Sequence, residues 1–299
     1  FPSGEFPSLE SLVREFLSGK GNDIKIDLAV FGVAGPVVGG GAKITNLPWT
    51  MDESALGKAL GVPFVRLIND LLAWACAVPS LRAGDLHTLN GGVPEPGGAK
   101  AVVAPGTGLG EAYLTSDGTR YRAHSSEGGH CGFAPANDME TDLLRYLRRR
   151  FDHVSYERVC SGMGLLNIYN YMKDSGHANA SGRIAKIPDG VSDPVPMIIR
   201  SALDADRPCT LCLDALNLFI AILGAEAGNM ALKVMASGGV YLGGGLPPRI
   251  LPALQEGPFM DAFRLKGRMS ELMERIPVHV IMNPKAALLG ASSYAMSLI

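Results

Sequence analysis

Charged and aromatic residues are scarce in this sequence, and long apolar runs are missing. Of 299 residues, 19% are charged and 7% aromatic, and 27 basic against 29 acidic residues leave a net charge of −2. With no basic block beyond residues 145–150, we expect no nucleic-acid partner. No run of about 18 apolar residues occurs, because the best candidate, residues 218–225, is closed by Asn217 and Glu226. We therefore expect no membrane partner.

Cysteines are also few, and their number is odd. The five show none of the spacings of a disulfide framework, which favours reduced thiols and a cytoplasmic protein. Cys209 and Cys212 form a single Cys-x-x-Cys pair without the second half of a zinc site. Buried structural thiols are the simpler interpretation of that pair, and we expect no resident metal. The five cysteines are Cys76, Cys131, Cys160, Cys209 and Cys212.

What the chain has in excess is glycine, and strand-like segments alternate with helical ones around the glycine clusters. The 37 glycines are about 12% of the chain, against an average usage of about 7%. Short apolar runs bounded by turn residues predict strands, and apolar residues at spacings of three and four predict helices. The order indicates an α/β fold. Strands are expected at 27–33, 65–68, 100–104, 111–115, 120–123, 233–236, 240–242 and 278–282, and helices at 52–60, 71–78, 139–151, 213–227 and 286–298; residues 175–196 are expected to form a polar surface excursion.

The first candidate site is Asn69-Asp70, directly after a predicted strand and before a predicted helix. The carboxyl ends of strands in open α/β sheets are where ligands bind. A carboxylate there suits a general base that takes the proton of a substrate hydroxyl in phosphoryl transfer. The alternative is a structural N-cap, since aspartate before a helix commonly accepts a backbone N–H.

The second candidate is the segment Pro105-Gly-Thr-Gly-Leu-Gly110, which follows the strand at 100–104. Its glycines allow backbone N–H groups to approach phosphate oxygens, and Thr107 adds a hydroxyl. A dinucleotide-binding fingerprint would require a third glycine where Glu111 stands and a helix afterwards. A phosphate-contacting hairpin and a plain tight turn both remain open.

The third candidate is Ser126-Glu127-Gly-Gly-His130. A carboxylate and an imidazole beside glycines suit the hydroxyl groups of a sugar, because the carboxylate accepts hydrogen bonds and the imidazole either donates or accepts. Metal ligation by Glu127 and His130 is disfavoured, because no cysteine pair or further ligand has zinc spacing.

The fourth candidate is Gly238-Gly-Val-Tyr-Leu-Gly-Gly-Gly245, in which a short strand lies between two glycine clusters. Glycines at a strand end let a nucleotide base lie against the backbone, but they equally permit a helix to pack closely. Glu157, within residues 153–159, has by periodicity the character of an ordinary carboxylate on a helix surface.

In this order the segments resemble the bacterial-type glucokinase family, which belongs to the sugar kinases with the actin-like ATPase (ribonuclease H-like) fold. The zinc-type cysteine spacing of the related repressor-and-kinase sugar family is absent, which favours the glucokinase branch. The matching segments cover nearly the whole chain: residues 6–9, 45–49, 68–70, 106–110, 127–130, 153–159 with 161–162, 238–245 and 283–284.

The resemblance implies a small α/β domain of residues 1–80 with 283–299, a large α/β domain of residues 81–282, and a cleft between them. It implies phosphorylation of glucose at the 6-hydroxyl by ATP, with Mg²⁺ accompanying the nucleotide, and a homodimer. On this resemblance Asp70 is the catalytic base. The sugar-binding residues would be Asn69, Glu127, His130 and Glu157, and the ATP-binding residues Gly106, Thr107, Gly108, Gly238, Gly243 and Gly244.

The family pattern also contains an Asp-x-Gly-Gly-Thr strand turn, which contacts ATP phosphates, ahead of the segment that residues 6–9 match. Nothing in this sequence corresponds to that turn. We therefore expect the chain to be a fragment of a longer protein, with an incomplete small domain. The alternative function is a non-catalytic protein that binds or senses sugar and has lost phosphate chemistry.

Overall fold

The computed structural model describes residues 1–19, 25–44, 47–176 and 193–299. Thr45 and Asn46 of the family-like segment 45–49, and most of the expected surface excursion at 175–196, lie outside the described residues. The chain divides into two compact units, which are described separately below. Unit 1 comprises Phe1–Leu81 with Pro284–Ile299, and unit 2 comprises Arg82–Asn283.

The helices and strands follow one another in α/β order. The strands are β1 (Leu28–Val33), β2 (Val37–Val38), β3 (Gly41–Lys43), β4 (Thr50–Asp52), β5 (Phe64–Asn69), β6 (Leu86–Asn90), β7 (Lys100–Pro105), β8 (Leu109–Ser116), β9 (Tyr121–Ser126), β10 (Val240–Leu242) and β11 (Val278–Ile281). The α-helices are α1 (Leu9–Ser18), α2 (Glu53–Leu60), α3 (Asp70–Ala77), α4 (Asp138–Leu147), α5 (Gly162–Asp174), α6 (Val195–Ala202), α7 (Thr210–Val234), α8 (Leu251–Gln255), α9 (Pro258–Arg264), α10 (Ser270–Arg275) and α11 (Ala286–Met296).

Unit 1 contains a parallel pair, β1 and β5, and a small antiparallel sheet of β2, β3 and β4. Val33 at the end of β1 pairs with Asn69 at the end of β5, so both strands stop at the same edge. Helix α3 begins at the next residue. It packs against α11 so closely that a Cβ at Gly290 would overlap the carbonyl oxygen of Ala73. The helix that carries Asp70 is therefore fixed by the last helix of the chain.

Unit 2 is built on a six-stranded sheet of order β6-β11-β10-β7-β8-β9. The central strands β7, β10 and β11 are parallel, and β8 and β9 continue the sheet as antiparallel strands. The parallel strands are buried on both faces, as their apolar runs predict. The predicted hairpin is confirmed, with its turn at Asp117 and Gly118.

Helix α7 lies in the core of unit 2. Its 25 residues are long and apolar enough to cross a membrane by length and composition, but most of its side chains are buried within the unit. Even Glu226, the single acidic side chain in its second half, is inaccessible to solvent. We conclude that α7 is the core helix of an α/β unit.

One predicted strand is wrong. Lys233 and Val234 belong to the last turn of α7, and the helix ends only where Met235 adopts a left-handed backbone with φ 51°. A short apolar stretch cannot be assigned to strand or helix from periodicity alone. Here the first part of the segment simply continues helix α7. The prediction of buried thiols at Cys209 and Cys212 is confirmed, and neither is in a disulfide.

Candidate active site

Three of the predicted sugar-binding residues lie together in unit 2. His130 Nε2 is 3.9 Å from Glu127 Oε2, and His130 Nδ1 is 4.0 Å from Glu157 Oε1. The side chains of Glu127 and His130 are 70% and 61% exposed, whereas that of Glu157 is 30% exposed. The cluster therefore presents two carboxylates and an imidazole to solvent, a group able to accept and donate hydrogen bonds.

Glu157 is held by the backbone at the start of β8. It lies in a short 3-10 helix, Tyr156–Arg158, and its Oε2 accepts the backbone N–H of Leu109 at 3.0 Å. A Cβ at Gly108 would lie 2.5 Å from the same oxygen, so the close approach requires glycine. Glu157 is therefore not the ordinary surface carboxylate that periodicity predicts. Its carboxylate is half-buried and bonded to a distant segment.

The segment that carries Glu127 and His130 rests on β8. Gly128–His130 form a 3-10 turn, and a Cβ at Gly128 would overlap Glu111 Oε2. Likewise, a Cβ at Gly129 would overlap the carbonyl oxygen of Leu109. The two glycines therefore let the turn lie flat on the strand. Strand β8 thus supports all three members of the cluster.

The turn between β7 and β8 contains Gly106, Thr107 and Gly108. It is closed by a hydrogen bond of 2.8 Å from the Gly106 N–H to the Gly108 carbonyl. The N–H of Gly162, the first residue of α5, donates to the Gly106 carbonyl at 2.8 Å. The amino end of α5 therefore lies beside this turn. Backbone N–H groups at a helix amino terminus favour anions, which adds to the phosphate-binding interpretation of the turn.

Gly243 and Gly244 follow β10 and lie beside the end of β7, where the same turn begins. The N–H of Gly243 donates to the Val103 carbonyl at 2.9 Å. Gly244 has φ 82°, and a Cβ on it would lie 2.6 Å from the Pro105 carbonyl oxygen. A cavity of about 480 Å³ opens here, within the range of small-molecule sites. Its lining includes Gly106, Thr107, Gly162, Gly245, Leu246 and Arg249.

Gly238 lies elsewhere. It precedes β10, where its N–H donates to the Ala99 carbonyl at 2.8 Å. That is the start of β7, whereas Gly243 is bonded near its end, and the two strands are parallel. A Cβ at Gly238 would collide with the carbonyl oxygen of Gly98. The structure therefore places Gly238 at the opposite end of the strand from Gly243 and Gly244, where it serves close packing.

Asn69 and Asp70 lie in unit 1, at the junction of β5 and α3. The Asn69 Oδ1 accepts the N–H groups of Leu71 and Leu72, at 2.9 and 3.3 Å, and its Nδ2 donates to the Gly35 carbonyl at 3.2 Å. Asn69 is therefore the N-cap of α3, and Asp70 is the first helical residue. Asn69 supplies the N-cap, and the Asp70 carboxylate also accepts a backbone N–H, that of Leu71 at 2.9 Å, so the structural alternative for Asp70 is met in part.

A buried polar network, which no sequence pattern revealed, lies behind the cluster. Glu111 of β8 and Glu226 of α7 are 1% and 0% exposed. Burial, and then the charge of Glu226, raise the pKa of Glu111 well above its ordinary value. The signal was present in the sequence, because Glu226 interrupts an apolar run and Glu111 takes the place of a glycine. Nothing in the sequence indicated that the two meet.

Among the described residues, no group of three or more histidine, cysteine, aspartate or glutamate side chains is arranged to hold a metal ion. Mg²⁺ in phosphoryl-transfer sites is commonly held by one or two carboxylates together with the phosphates of the substrate. The carboxylates and the glycine turn are therefore compatible with a cation that arrives bound to a nucleotide.

Two α/β units, of which unit 2 carries glycine turns after the parallel strands β7 and β10, are the architecture of a protein of the actin-like ATPase fold, the fold of the sugar kinases. The sequence profile of the family described as Glucokinase matches residues 1–298, and the chain belongs to that family. The profile confirms the family predicted by resemblance, and similar solved structures confirm the fold.

Individual relatives support the assignment. The chain is 41% identical to a glucokinase of Nostoc punctiforme over 311 residues, covering 100% of this chain and 90% of that protein. It resembles the crystal structure of a glucokinase from an Antarctic psychrotroph with a TM-score of 0.84, at 33% identity, covering 99% of this chain and 88% of the other. A ROK family glucokinase from Streptomyces griseus, solved with glucose and AMPPNP, shares the fold at 20% identity and a TM-score of 0.64, over 98% of this chain and 89% of that one.

Proposed function

We propose that this protein transfers the γ-phosphoryl group of ATP to the 6-hydroxyl of glucose. One observation carries the proposal. The Glu127, His130 and Glu157 cluster and the glycine turn of residues 106–108 adjoin at the start of β8, where Glu157 is bonded to Leu109. A group suited to hydroxyls thus lies next to a turn suited to phosphates. Membership of the glucokinase family supports the same function.

The sugar would be held by hydrogen bonds from its hydroxyls to Glu127, His130 and Glu157, with Asn69 as a further contact. Charged acceptors form hydrogen bonds about twice as strong as neutral ones. A sugar that lacks one of these hydroxyls would leave a polar group unpaired beneath the bound ligand and would be rejected for that reason. The remaining N–H of the Asn69 amide is the group available for substrate, because its oxygen is engaged in the helix cap.

The nucleotide would lie along the cavity beside Gly106, Thr107 and Gly108, with Gly243 and Gly244 against the adenosine. The backbone N–H groups of the turn and the amino end of α5 would face the phosphates. Gly238 is omitted from this set because it lies at the other end of β10. Mg²⁺ belongs to the MgATP co-substrate and neutralises charge on the phosphates.

Asp70 would take the proton of the 6-hydroxyl as that oxygen attacks the γ-phosphorus. Its place at the amino end of α3, after the carboxyl end of β5, is where ligands bind in α/β proteins. Catalysis by such a base contributes about 10²- to 10⁴-fold. Most of the remaining acceleration comes from positioning and charge neutralisation.

We further propose that the protein is cytoplasmic and forms a homodimer. None of its five cysteines, which all lie within the described residues, forms a disulfide, which suits a reducing compartment, and the dimer follows from the family resemblance. Size-exclusion chromatography with light scattering tests the dimer. The non-catalytic alternative has no observation in its favour, because the relatives described above carry the name glucokinase.

The direct test is a coupled assay for glucose 6-phosphate with purified protein, glucose, Mg²⁺ and ATP. Product that depends on both glucose and ATP is expected, and ADP and polyphosphate are compared as donors. Calorimetric titration of glucose, with Glu127→Ala as the control, runs beside the assay. Saturable glucose binding without product would favour a sugar-binding protein that lacks catalysis. Neither binding nor product from a folded sample would reject the proposal.

A further inference from the structure

Glu111 is a buried carboxyl group without an ordinary partner. It is 1% exposed, and within the described part of the chain no N–H or O–H group donates to either of its oxygens. Its neighbour within hydrogen-bonding reach is the carboxyl of Glu226. Two carboxyl groups form a hydrogen bond only when one of them carries a proton. Two buried carboxyl groups side by side do not readily ionise together, so a proton on one of them is favoured.

The surroundings show which carboxyl carries the proton. Glu226 Oε2 accepts the Asn229 Nδ2 amide at 2.9 Å, and Lys233 Nζ lies 3.4 Å from Glu226 Oε1. The Tyr156 hydroxyl is a further hydrogen-bonding neighbour of Glu226. These donors suit an ionised carboxylate. Glu111 has none of them, so the proton belongs on Glu111.

The other ionisable groups around the pair do not alter this assignment. From α7 the groups facing Glu111 are Glu226, which favours its neutral form, and Lys233, which opposes it. Cys160 lies near both glutamates, and burial holds the pKa of its thiol far above the ordinary value, so it stays neutral. Strands β7 and β9 present Val103 and Ser126 as the pairing partners of Glu111, and neither is charged.

Glu111 also touches the segment that carries the sugar-binding side chains. Its Oε2 lies where a side chain on Gly128 would begin. Gly128 is flanked by Glu127 and stands two residues before His130. The next residue, Gly129, is seated in the same manner against the Leu109 carbonyl. A displacement of the Glu111 carboxyl would therefore remove the surface on which the backbone between Glu127 and His130 rests.

We propose that Glu111 is a positioning residue: as a neutral acid it donates a hydrogen bond to Glu226 and holds the segment of Glu127 and His130 in its sugar-binding position. The proposal rests on the proposed function for its link to glucose. An ionised Glu111 would be a buried charge with no donor, facing a second carboxylate. It would have to draw in water or swing away, and Gly128 would move with it. Ionisation thus links pH to glucose affinity.

The first experiment measures the KM for glucose of the purified protein at pH 7 and pH 9, at saturating ATP. Burial raises the pKa of Glu111 to about 8. If only the protonated form binds sugar, the apparent KM grows with the inverse of the protonated fraction, so we expect the ratio of the pH 9 to the pH 7 value to be about tenfold. In Glu111→Gln the amide donates to Glu226 and does not ionise, so the ratio should fall to about one.

The matched control is Glu140→Gln. Glu140 is equally buried, at 3% exposure, but it accepts the Ala136 N–H and the Asn137 amide at 2.8 and 3.0 Å and does not touch Gly128. Its variant should keep the wild-type ratio. An unchanged ratio in Glu111→Gln, or loss of the ratio in both variants, would overturn the positioning role.

The second experiment needs no substrate and compares the unfolding midpoint, Tm, of wild type and Glu111→Gln from pH 5 to pH 9. Because the folded pKa is raised, the proton on Glu111 stabilises the folded state fully below the ordinary pKa of 4.5, and this contribution is lost as pH rises to about 8. The Tm of wild type relative to the variant should fall over that range. Parallel curves of Tm against pH for the two proteins would contradict the assignment of a proton to Glu111. Failure of the wild type to phosphorylate glucose at pH 7 would instead reject the proposed function and, with it, the link to sugar.

Discussion

The backbone N–H of Leu109 donates a hydrogen bond of 3.0 Å to Oε2 of Glu157, 48 residues further along the chain. This bond joins the first residue of β8 to the short helix that carries Glu157. It uses one carboxylate oxygen for structure and leaves Oε1, which faces His130, for ligand. A single side chain thus connects the glycine turn to the sugar-binding cluster.

Replacement of Glu157 separates these two tasks. Glu157→Gln keeps an acceptor for Leu109 but loses the charge, and we expect the KM for glucose to rise about 10- to 100-fold, since a hydrogen bond to a charged group contributes about 1.5–3 kcal/mol. Glu157→Ala should in addition lower the free energy of unfolding by about 1–3 kcal/mol, because the Leu109 N–H loses its acceptor.

Steady-state kinetics and urea unfolding distinguish the two variants of Glu157. Asp142→Asn is the control, because the Asp142 carboxylate is exposed and forms a surface ion pair with Arg145. It should change neither quantity measurably. Equal unfolding free energies for Glu157→Gln and Glu157→Ala would contradict the structural task.

Asp70→Asn should abolish the transfer step while sparing the sugar site. We expect kcat to fall about 10²- to 10⁴-fold, the usual contribution of a general base, with the calorimetric Kd for glucose changed by less than about threefold. Asp52→Asn is matched to it, since Asp52 caps α2 in the same unit and accepts the Ala55 N–H at 2.8 Å. Asparagine is an equally good N-cap. Substantial kinase activity in Asp70→Asn would eliminate Asp70 as the base.

Gly128→Ala should disturb the sugar-binding segment, because the new methyl group would overlap Glu111 Oε2. Overpacking of this kind costs about 1–3 kcal/mol, and we expect the glucose KM to rise at least about tenfold. Gly132→Ala is the control four residues away, where the methyl would make an ordinary contact 3.8 Å from the His153 ring. Equal KM values for the two variants would show that the fit of Gly128 on Glu111 does not position the segment.

Gly244→Ala should impair use of the nucleotide. The residue combines φ 82° with close approach to the Pro105 carbonyl oxygen, so the substitution must displace the turn beside Gly106. We expect the KM for ATP to rise about tenfold or more and the Kd for glucose to stay unchanged. Gly267→Ala is the control. Gly267 has a left-handed backbone, φ 55°, with open space around it, so its variant measures the backbone cost alone, about 1–2 kcal/mol. A rise in ATP KM in both variants would point to general destabilisation.

The predicted elements of the sheet in unit 2 came from short apolar runs, and most of them are present. The strands predicted at 100–104, 240–242 and 278–282 are present as β7, β10 and β11. They were recognisable because buried parallel strands have near-continuous apolar sequences. The antiparallel sheet of β2, β3 and β4 was not predicted. Its strands have two or three residues, too few to show alternation. The strand expected at 233–236 failed because the segment continues a helix whose end depends on the backbone of Met235.

The site was predictable only in part. Asp70, Glu127 and His130 could be singled out because polar residues beside glycines at strand ends indicate ligand contacts. The role of Glu157 came from resemblance, since its partner Leu109 is distant in sequence. Glu111 lies in a strand whose alternation would direct it to solvent, but α7 brings Glu226 to it. Contacts of this kind depend on how helices and strands pack together, and sequence periodicity does not reveal that packing.

The close fit of Gly290 on Ala73 has a consequence for the order in which the protein is made. Ala73, Ala75 and Ala77 of α3 are completely buried. Helix α11 packs against α3 with Gly290 in contact with the Ala73 backbone. More than two hundred residues of unit 2 separate these helices in the sequence, so on the ribosome α3 emerges long before α11 exists. Unit 2 is continuous and can fold as it is synthesised. Unit 1 cannot complete its fold until α11 has been translated. Until then, the face of α3 that α11 covers remains exposed.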